Sequence, residues 1–422
     1  MNVYATVILW TTYLVSLYFA IFFLLILFDK NFFTSPKRVR LQKIPFISII
    51  IPAYNEEETI LGTLTSVLQL DYPKDKLEVI VVDDGSTDRT KEKVEQHITT
   101  LSNCSYVNLI SHENIGKAAS LNHALQLARG DFFACLDADS FVEPDTLQSM
   151  LAFYYEKNDS NLKIVTPVLK VKTPHTLLQK VQWLEYLVMA FISRLASHID
   201  SLYVAPGPFS LYHTATIKEL GGFDERNITE DQEIAYRVQA SHYRIKQCPT
   251  AFVHTIAPAT LRAFSRQRRR WYKGSISCLH KYRGLILNKR YGDFGIIQLL
   301  KNLLGFFIAL SGISFAVYLI FLPSLEKIHN LYLISFDVFP YIENASLDFP
   351  LIGLNIQRTF IMLVLFAITI LFFTFAHRYT KEKVNKFGLI PLVPYFLFYY
   401  LVKGSILIFS LVEYAVGRKQ RW

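Results

Sequence analysis

The sequence is poor in charged residues and in cysteine. Only 19% of its 422 residues are charged, whereas a typical soluble domain has about a quarter. Its four cysteines lie far apart and form no CxxC pair, so neither a zinc ribbon nor a disulfide framework is indicated. No internal repeat or low-complexity tract is visible. With 51% hydrophobic residues, the composition excludes disorder and a collagen-like chain, and it favours a membrane protein.

The apolar residues are concentrated in long runs that are typical of membrane helices. The first run, from Val3 to Phe28, has neither the shorter apolar core nor the cleavage site of a signal peptide. Three further runs follow a stretch of balanced sequence that is long enough for one globular domain. We therefore expect transmembrane helices near 1–28, 302–322, 359–376 and 387–412.

The net charge of +9 is compatible with a nucleic-acid partner or with a cytoplasmic membrane face. Lysine and arginine are concentrated beside the apolar runs, at 30–43, 281–290 and 378–386. Such flanks stay in the cytoplasm, which favours membrane lipids as neighbours and argues against nucleic acid. The globular domain is then expected in the cytoplasm at the plasma membrane, and the loop 323–358 outside.

The fourth run does not fit this rule well. If 387–412 crosses the membrane, the basic tail at 418–421 lies outside. Pro391, Pro394 and Lys403 interrupt the run, so a re-entrant or interfacial segment is the alternative to a crossing. The sequence thus divides into a transmembrane helix (1–28), a basic cytoplasmic linker (29–43), a cytoplasmic domain (44–275), an interfacial connector (276–300) and a C-terminal transmembrane region (301–422).

Short β-branched runs alternate with helix-forming sequence in the first half of the globular domain. This alternation predicts an α/β fold with a mostly parallel sheet. Ligands of such sheets bind at the carboxyl ends of the strands, where this sequence has its polar clusters. The expected strands are 46–51, 77–82, 106–110 and 132–136.

The polar clusters at these ends contain residues that suit a nucleotide and a metal ion. Asp137 and Asp139 are spaced so that both carboxylates lie on one side of a strand end, where hard oxygens suit Mg²⁺ or Mn²⁺. Asp83 and Asp84 precede a Gly-Ser turn, and Lys117 follows a glycine at a helix start. Taken alone, each cluster is equally well explained as a solvated turn or a helix cap.

Two later motifs are also ambiguous when taken singly. Glu230 and Asp231 precede a helix, where they serve either as helix-capping charges or as a general base for an acceptor hydroxyl. Gln267, Arg270 and Trp271 offer an amide, a phosphate-binding guanidinium and an aromatic platform for a sugar. The alternative for the arginines at 268–270 is a solvated basic run near lipid headgroups.

Residues 176–197 predict an amphipathic helix. Its apolar positions include Leu184 and Val188, and its polar side includes Gln182 and Glu185. Such a helix either lies on the membrane surface or packs within the domain.

The order of the motifs along the chain resembles the signature of family 2 glycosyltransferases. The resemblance covers residues 44–274 and is nearest to the membrane-embedded cellulose, chitin, hyaluronan and poly-N-acetylglucosamine synthases. It implies a GT-A fold, a nucleotide-sugar donor that is usually UDP-linked, a divalent cation and inversion at the anomeric carbon. The residues that carry it are Pro52–Glu56, Asp83–Ser86, Asp137–Asp139, Thr229–Asp231 and the Gln267-x-x-Arg270-Trp271 motif.

The resemblance also implies a role for each site residue. Asp231 would be the catalytic base, with Glu230 beside it, and Asp139 would be the main metal ligand, with Asp137 holding both nucleotide and metal. Gln267, Arg270 and Trp271 would lie over the diphosphate and the acceptor. The donor would be bound by Tyr54, Glu56, Asp83, Asp84, Lys117 and Asp137.

Two enzymatic functions remain open at this stage. The first is a processive synthase that extends a β-linked polysaccharide, and the second is an enzyme that adds one sugar to a membrane lipid, since ceramide glucosyltransferases share a similar motif. The chain departs from the nearest synthases in having a single N-terminal span and few C-terminal ones. A homodimer or a separate export partner is therefore an expectation for the first function. A non-enzymatic binding protein is disfavoured because no motif residue is missing.

Overall fold

In the computed structural model, the described residues are 3–29, 32, 44–100, 105–333, 335–336 and 356–417. Most of the predicted linker 29–43, much of the loop 323–358 and the basic tail 418–421 lie outside them.

The centre of the globular domain is an eight-stranded sheet with the strand order β3-β2-β1-β4-β7-β6-β8-β5. The strands β3, β2, β1 and β4 are parallel, which confirms the predicted parallel strands of the first half. The sheet as a whole is mixed, because β7 is antiparallel to β4 and β6, and β5 is antiparallel to β8. The strands are β1 (Ile47–Ala53), β2 (Leu77–Asp83), β3 (Val107–Ser111), β4 (Phe132–Cys135), β5 (Ser140–Val142), β6 (Leu162–Val171), β7 (Ser210–His213) and β8 (Arg244–Thr255).

Helices cover both faces of this sheet. Along β1, Ile49 and Ile51 belong to one buried apolar cluster, whereas Ile50 belongs to the cluster on the other face. Burial on both faces explains why β1 is apolar along most of its length. The helices of the domain are α2 (Ile60–Leu68), α3 (Thr90–Thr100), α4 (Lys117–Leu127), α5 (Thr146–Lys157), α6 (Leu177–His198), α7 (Thr214–Glu219), α8 (Glu230–Ala240) and α9 (Leu261–Lys281).

Three helices among the described residues are long and apolar enough to cross a membrane: Thr6–Ile26, Phe294–Ala316 and Thr359–Thr380. They agree with three of the predicted runs. The second begins earlier than predicted, so the connector predicted at 276–300 is shorter than expected. The sequence-based boundary was set at Lys301, but the helix continues through this residue, whose ammonium group lies near aromatic rings. The corresponding elements are α1 (Val3–Ile26), α10 (Leu299–Ala316) and α12 (Ile356–Thr380), and α11 (Leu322–Leu333) lies between the last two in the sequence.

The fourth apolar run forms two helices instead of one. The helix α13 (Leu392–Leu397) is separated from α14 (Tyr399–Ala415) by Phe398, which has an irregular backbone conformation. The helix α14 packs along α9 and α10, and its Lys403 contacts Glu185 of α6. Neither α13 nor α14 is among the three candidate spans of the described residues, so a crossing here stays a prediction.

The amphipathic helix predicted at 176–197 is α6, and it packs within the protein. It lies between the strands β6 and β8 and the helix α12. A capping box of Thr176 and Gln179 fixes its start. The polar side of the helix is buried too: Gln182 donates to the backbone of Pro258 at 2.8 Å and Glu185 binds cations of other helices.

Candidate active site

A cavity of about 200 Å³ opens at the carboxyl ends of β1, β2 and β4. This is the edge of the sheet at which the sequence predicted a ligand site. The cavity is lined by Pro52, Ala53, Tyr54, Glu56, Asp84, Asn114, Lys117, Asp137, Ala138, Asp139 and Arg270.

Side chains of the strand ends hold the loops of this cavity together. The two carboxylate oxygens of Asp84 accept hydrogen bonds from the backbone of Ile115 (2.8 Å) and Gly116 (3.0 Å). Gly85 has a φ of +71°, and a Cβ there would lie 2.7 Å from the backbone nitrogen of Asn114. The turn therefore requires glycine, because a larger residue would force the second and third loops apart.

Asp83 occupies a different position from Asp84. Its carboxylate accepts hydrogen bonds from Ser111 (3.0 Å) and from the backbone of Ser86 (3.2 Å). It is buried and is not among the residues that line the cavity. Asp83 thus holds the loop next to the cavity, and the predicted contact of Asp83 with the donor stays a prediction.

Lys117 is the central cation of the site. Its Nζ lies 2.6 Å from Asp137 Oδ1 and 2.7 Å from Glu230 Oε1. Burial would lower the pKa of Lys117, but the two carboxylates outweigh it and raise the pKa above its usual value. The ammonium group is therefore charged and links the end of β4 to the start of α8.

The environment of Asp139 is unfavourable for the charged form of its carboxyl group. Burial, followed by the charges of Asp137 and Glu56, raises its pKa to about 7. A hydrogen bond from Ser140 at 2.9 Å only partly offsets this. Carboxylates that repel one another in a buried site suit a divalent cation, which would relieve the repulsion.

The residues present fit such a cation, with Asp139 and Asp137 as its protein ligands. Within the described part of the chain, no group of three or more acidic, histidine or cysteine side chains is arranged to hold a metal ion without help. Two carboxylates would leave coordination positions for the oxygens of a diphosphate, as is usual for Mg²⁺ bound with a nucleotide.

Asp231 lies in the first turn of α8, on the far side of Lys117 from β4. Burial, followed by the charge of Glu230, raises the pKa of Asp231 to about 6, although Lys117 and Arg270 act in the opposite direction. Its Oδ1 accepts a hydrogen bond from the backbone of Gln232 at 2.8 Å. A buried carboxyl group with this pKa is suited to accept a proton near neutral pH.

The three motif residues of α9 occupy different environments. Arg270 lines the cavity, while Gln267 and Trp271 are not among its lining residues, and contacts of the three with diphosphate and acceptor stay predictions. The Oε1 atom of Gln267 is buried and accepts no hydrogen bond within the described residues. The ring of Trp271 lies 4.0 Å below the guanidinium of Arg268.

The alternative of a solvated basic run at 268–270 is wrong. Arg268 is almost fully buried and pairs with Glu185. Arg269 pairs with Glu413 of α14, and Arg270 points to the cavity. The three side chains diverge because consecutive helix residues point about 100° apart, and each direction meets a different part of the protein.

The model for the glycosyl transferase family 2 matches residues 48–241, which include every residue that lines the cavity except Arg270. Residues 48–241 thus match a glycosyltransferase family 2 domain. This match agrees with the α/β fold of the domain, and three helices of the described residues are long and apolar enough to cross a membrane.

Several curated proteins similar to this chain are poly-β-1,6-N-acetyl-D-glucosamine synthases. The poly-β-1,6-N-acetyl-D-glucosamine synthase of Staphylococcus aureus (strain COL) is 32% identical over 252 residues, which are 58% of this chain and 60% of the relative. The alignment thus spans less than two thirds of that relative. The synthase of Staphylococcus epidermidis is 28% identical over 90% of this chain and 86% of its own.

A solved structure confirms the GT-A-like fold of the glycosyltransferase. A mannosyltransferase from Pyrobaculum calidifontis, in complex with GDP-Man and Mn²⁺, superposes with a TM-score of 0.62. The two chains are 20% identical, and the match covers 98% of this chain and 99% of the other. The similarity therefore extends through the membrane helices as well as the sheet.

Sequence reasoning missed one buried ion network beside the glycosyltransferase site. Glu185 of α6 accepts hydrogen bonds from Arg268 of α9 and from Tyr399 (2.6 Å) and Lys403 of α14. The only sequence signal was a glutamate on a helix that is otherwise largely apolar, and this is equally typical of a solvent-facing position. The partners lie 83 to 218 residues away, so local patterns cannot reveal them.

Proposed function

We propose that this protein is an inverting, metal-dependent membrane glycosyltransferase that moves a sugar from a UDP-linked donor onto a growing β-linked polysaccharide. The observation that carries the proposal is the convergence of Asp139, Lys117 and Arg270 on one cavity, with the raised pKa of Asp231 beside it. The curated relatives, which are poly-β-1,6-N-acetyl-D-glucosamine synthases, support a polysaccharide product.

The proposed reaction is a single in-line displacement. Asp231 takes the proton of the acceptor hydroxyl while its oxygen forms a bond to the anomeric carbon and the bond to the diphosphate breaks. Arg270 and Lys117 stabilise the charge that develops on the leaving diphosphate. Glu230 holds Lys117 in place at 2.7 Å. Tyr54, Glu56 and Asp84 bind the nucleoside, and Gln267 and Trp271 the acceptor.

A divalent cation bound by Asp139 and Asp137 would act as a Lewis acid toward the diphosphate. We expect excess EDTA to abolish sugar transfer and Mn²⁺ or Mg²⁺ to restore it, because buried carboxylates otherwise repel the donor. The measurement is nucleotide release with each donor before and after metal is added back. Unchanged activity in EDTA would remove the metal from the proposal.

The membrane arrangement is part of the proposal. The glycosyltransferase domain, at about 44–275, would lie at the cytoplasmic face of the plasma membrane, on the side where nucleotide sugars are made. The helices at 301–422 would lie in the membrane. A homodimer or an export partner would assist transfer of a polymer, because the described residues contain three candidate spans.

Product size separates this function from the second candidate, addition of one sugar to a membrane lipid. An apolar cavity of about 670 Å³ next to α9 favours the second candidate. The purified protein in lipid nanodiscs would receive Mn²⁺ and labelled UDP-sugars, singly and in pairs. A ladder of long products supports the synthase and names its donor, whereas one label on an extractable lipid supports the lipid glycosyltransferase and overturns the proposal.

A further inference from the structure

A second cavity, of about 670 Å³, lies between the membrane helix α10 and the helix α14. One end reaches Tyr272 and Ser275 of α9, immediately after the Gln-x-x-Arg-Trp motif. The other end reaches Ile313, well inside the candidate span Phe294–Ala316. The cavity therefore connects the neighbourhood of the active site with membrane depth.

Beyond Lys301 and Asn302, the part of the cavity along α10 has no hydrogen-bonding side chain. From there on, the lining residues of this helix are Gly305, Phe306, Ile308, Ala309, Gly312 and Ile313. A Cβ added at Gly305 or Gly312 would meet no atom within 4 Å, so both glycines face open space. A carbohydrate chain needs polar partners along its length, whereas a hydrocarbon chain needs only apolar walls. This lining therefore favours a hydrocarbon chain.

Lys301 supplies a positive charge to this cavity. Its Nζ lies 5.1 Å from the ring centre of Phe23 and 5.7 Å from that of Tyr203. Within the described residues it forms no ion pair, in contrast to Lys403, whose charge is met by Glu185. An ammonium group inside a membrane span is costly without an anionic partner.

The lined stretch of α10 is long enough for one hydrocarbon chain. Lys301 to Ile313 covers about 18 Å of helix at about 1.5 Å per residue. One half of a bilayer hydrocarbon core is about 15 Å thick. A lipid whose phosphate lies near Lys301 would thus have its hydrocarbon chain beside Gly305 and Gly312.

We propose that this cavity binds an anionic lipid, with its phosphate at Lys301 and one hydrocarbon chain between α10 and α14. The proposal concerns binding and holds whichever acceptor the active site uses. Occupancy by a bound lipid would fill the space between the two helices and neutralise Lys301.

The test measures lipid that stays bound to the purified full-length protein, with no sugar donor present. The protein is reconstituted with phosphatidylglycerol or phosphatidylcholine, extracted into mild detergent, and its bound lipid is counted by native mass spectrometry. We expect the parent to retain phosphatidylglycerol preferentially. The variant Lys301→Gln should retain about tenfold less, as expected when a charge-assisted hydrogen bond is lost.

Variants that fill the cavity give an independent test of the proposal. Gly312→Leu and Gly305→Leu should both lose the bound lipid, because the added side chains occupy open space without a clash. The matched control is Leu303→Phe, which adds volume on the same helix at a side chain that is 45% exposed and does not line the cavity. It should retain lipid as the parent does.

Normal elution and thermal unfolding of either glycine variant would show that the fold is intact. Equal retention of phosphatidylglycerol by the parent, Lys301→Gln and the folded glycine variants would overturn the proposal. Equal retention of both lipids by the parent would also overturn it. Since no donor is used, a failure of the proposed sugar transfer cannot produce either result.

Discussion

Replacement of Asp231 by asparagine is expected to lower the rate of sugar transfer by about a hundredfold or more, the lower range for loss of a general base. Asparagine keeps the size of the side chain but cannot take the proton from the acceptor. Binding of the donor should be unchanged, because the proposed donor contacts come from other residues. The measurements are turnover with saturating donor and donor affinity by calorimetry. Near-normal turnover would refute the assignment of Asp231.

The same variant should be at least as stable as the parent at pH 8. The pKa of Asp231 is raised from 3.8 to about 6 in the folded protein, so the folded state binds this proton more tightly than the unfolded state. The favourable contribution to folding is therefore present below about pH 4 and is lost as the pH rises through about 6. Above that pH the buried charge is unfavourable, and asparagine removes it. A fall in the unfolding temperature would show that the rate loss is structural.

The second large effect is expected at Glu185. Burial would raise the pKa of this carboxyl group, but Lys403 and Arg268 hold the pKa below its usual value, so the group is ionised. The variant Glu185→Gln leaves the buried Arg268 and the partly buried Lys403 without their counter-charge. Breaking a buried pair in this way costs about 3–5 kcal/mol of the free energy of unfolding. We expect a clear drop in the thermal unfolding temperature in nanodiscs.

The control for Glu185 is an exposed ion pair of the same domain. Arg89 and Glu57 are 3.5 Å apart, and the side chain of Arg89 is 70% exposed. Arg89→Gln should change the free energy of unfolding by less than about 1 kcal/mol. Equal stability of the two variants would show that the Glu185 network contributes nothing to the fold.

Glu185 is also expected to affect the reaction through Trp271. Its partner Arg268 lies 4.0 Å above the Trp271 ring. If Arg268 loses its ion pair with Glu185, we expect the guanidinium to move and the Trp271 ring, which is a proposed acceptor contact, to lose its fixed position. The Michaelis constant for the acceptor should rise more than that for the donor, whereas a merely less stable protein would show no such difference.

Much of the site could be predicted because its residues follow strand ends. Asp84, Lys117, Asp137 and Asp139 each follow a short apolar run or begin the next helix, and all four line the cavity. Parallel strands bring such positions to one edge of the sheet whatever the details of packing. The direction of the later strands, which makes the sheet mixed, has no comparable local signal.

Sequence reasoning was incomplete where the same local pattern suits two environments. For α6 it left open a membrane-surface helix or a helix packed within the domain, and the structure buries Gln182 and Glu185 against α9 and the loop before it. The start of the second membrane helix was placed after Lys301, because a charge usually marks the end of a span. In both cases the side chains that contact the polar group are distant in sequence.

The sequence alone determined the α/β fold, the membrane helices and the carboxylates and cations of the site, because these depend on hydrophobic periodicity and on motif order. Only the tertiary structure decided which of the arginines at 268–270 faces the cavity and which are bound by Glu185 and Glu413. It also produced the apolar cavity between α10 and α14. Burial and ion pairing depend on which segments of the chain pack together, and segments that are far apart in the sequence come into contact only when the protein folds.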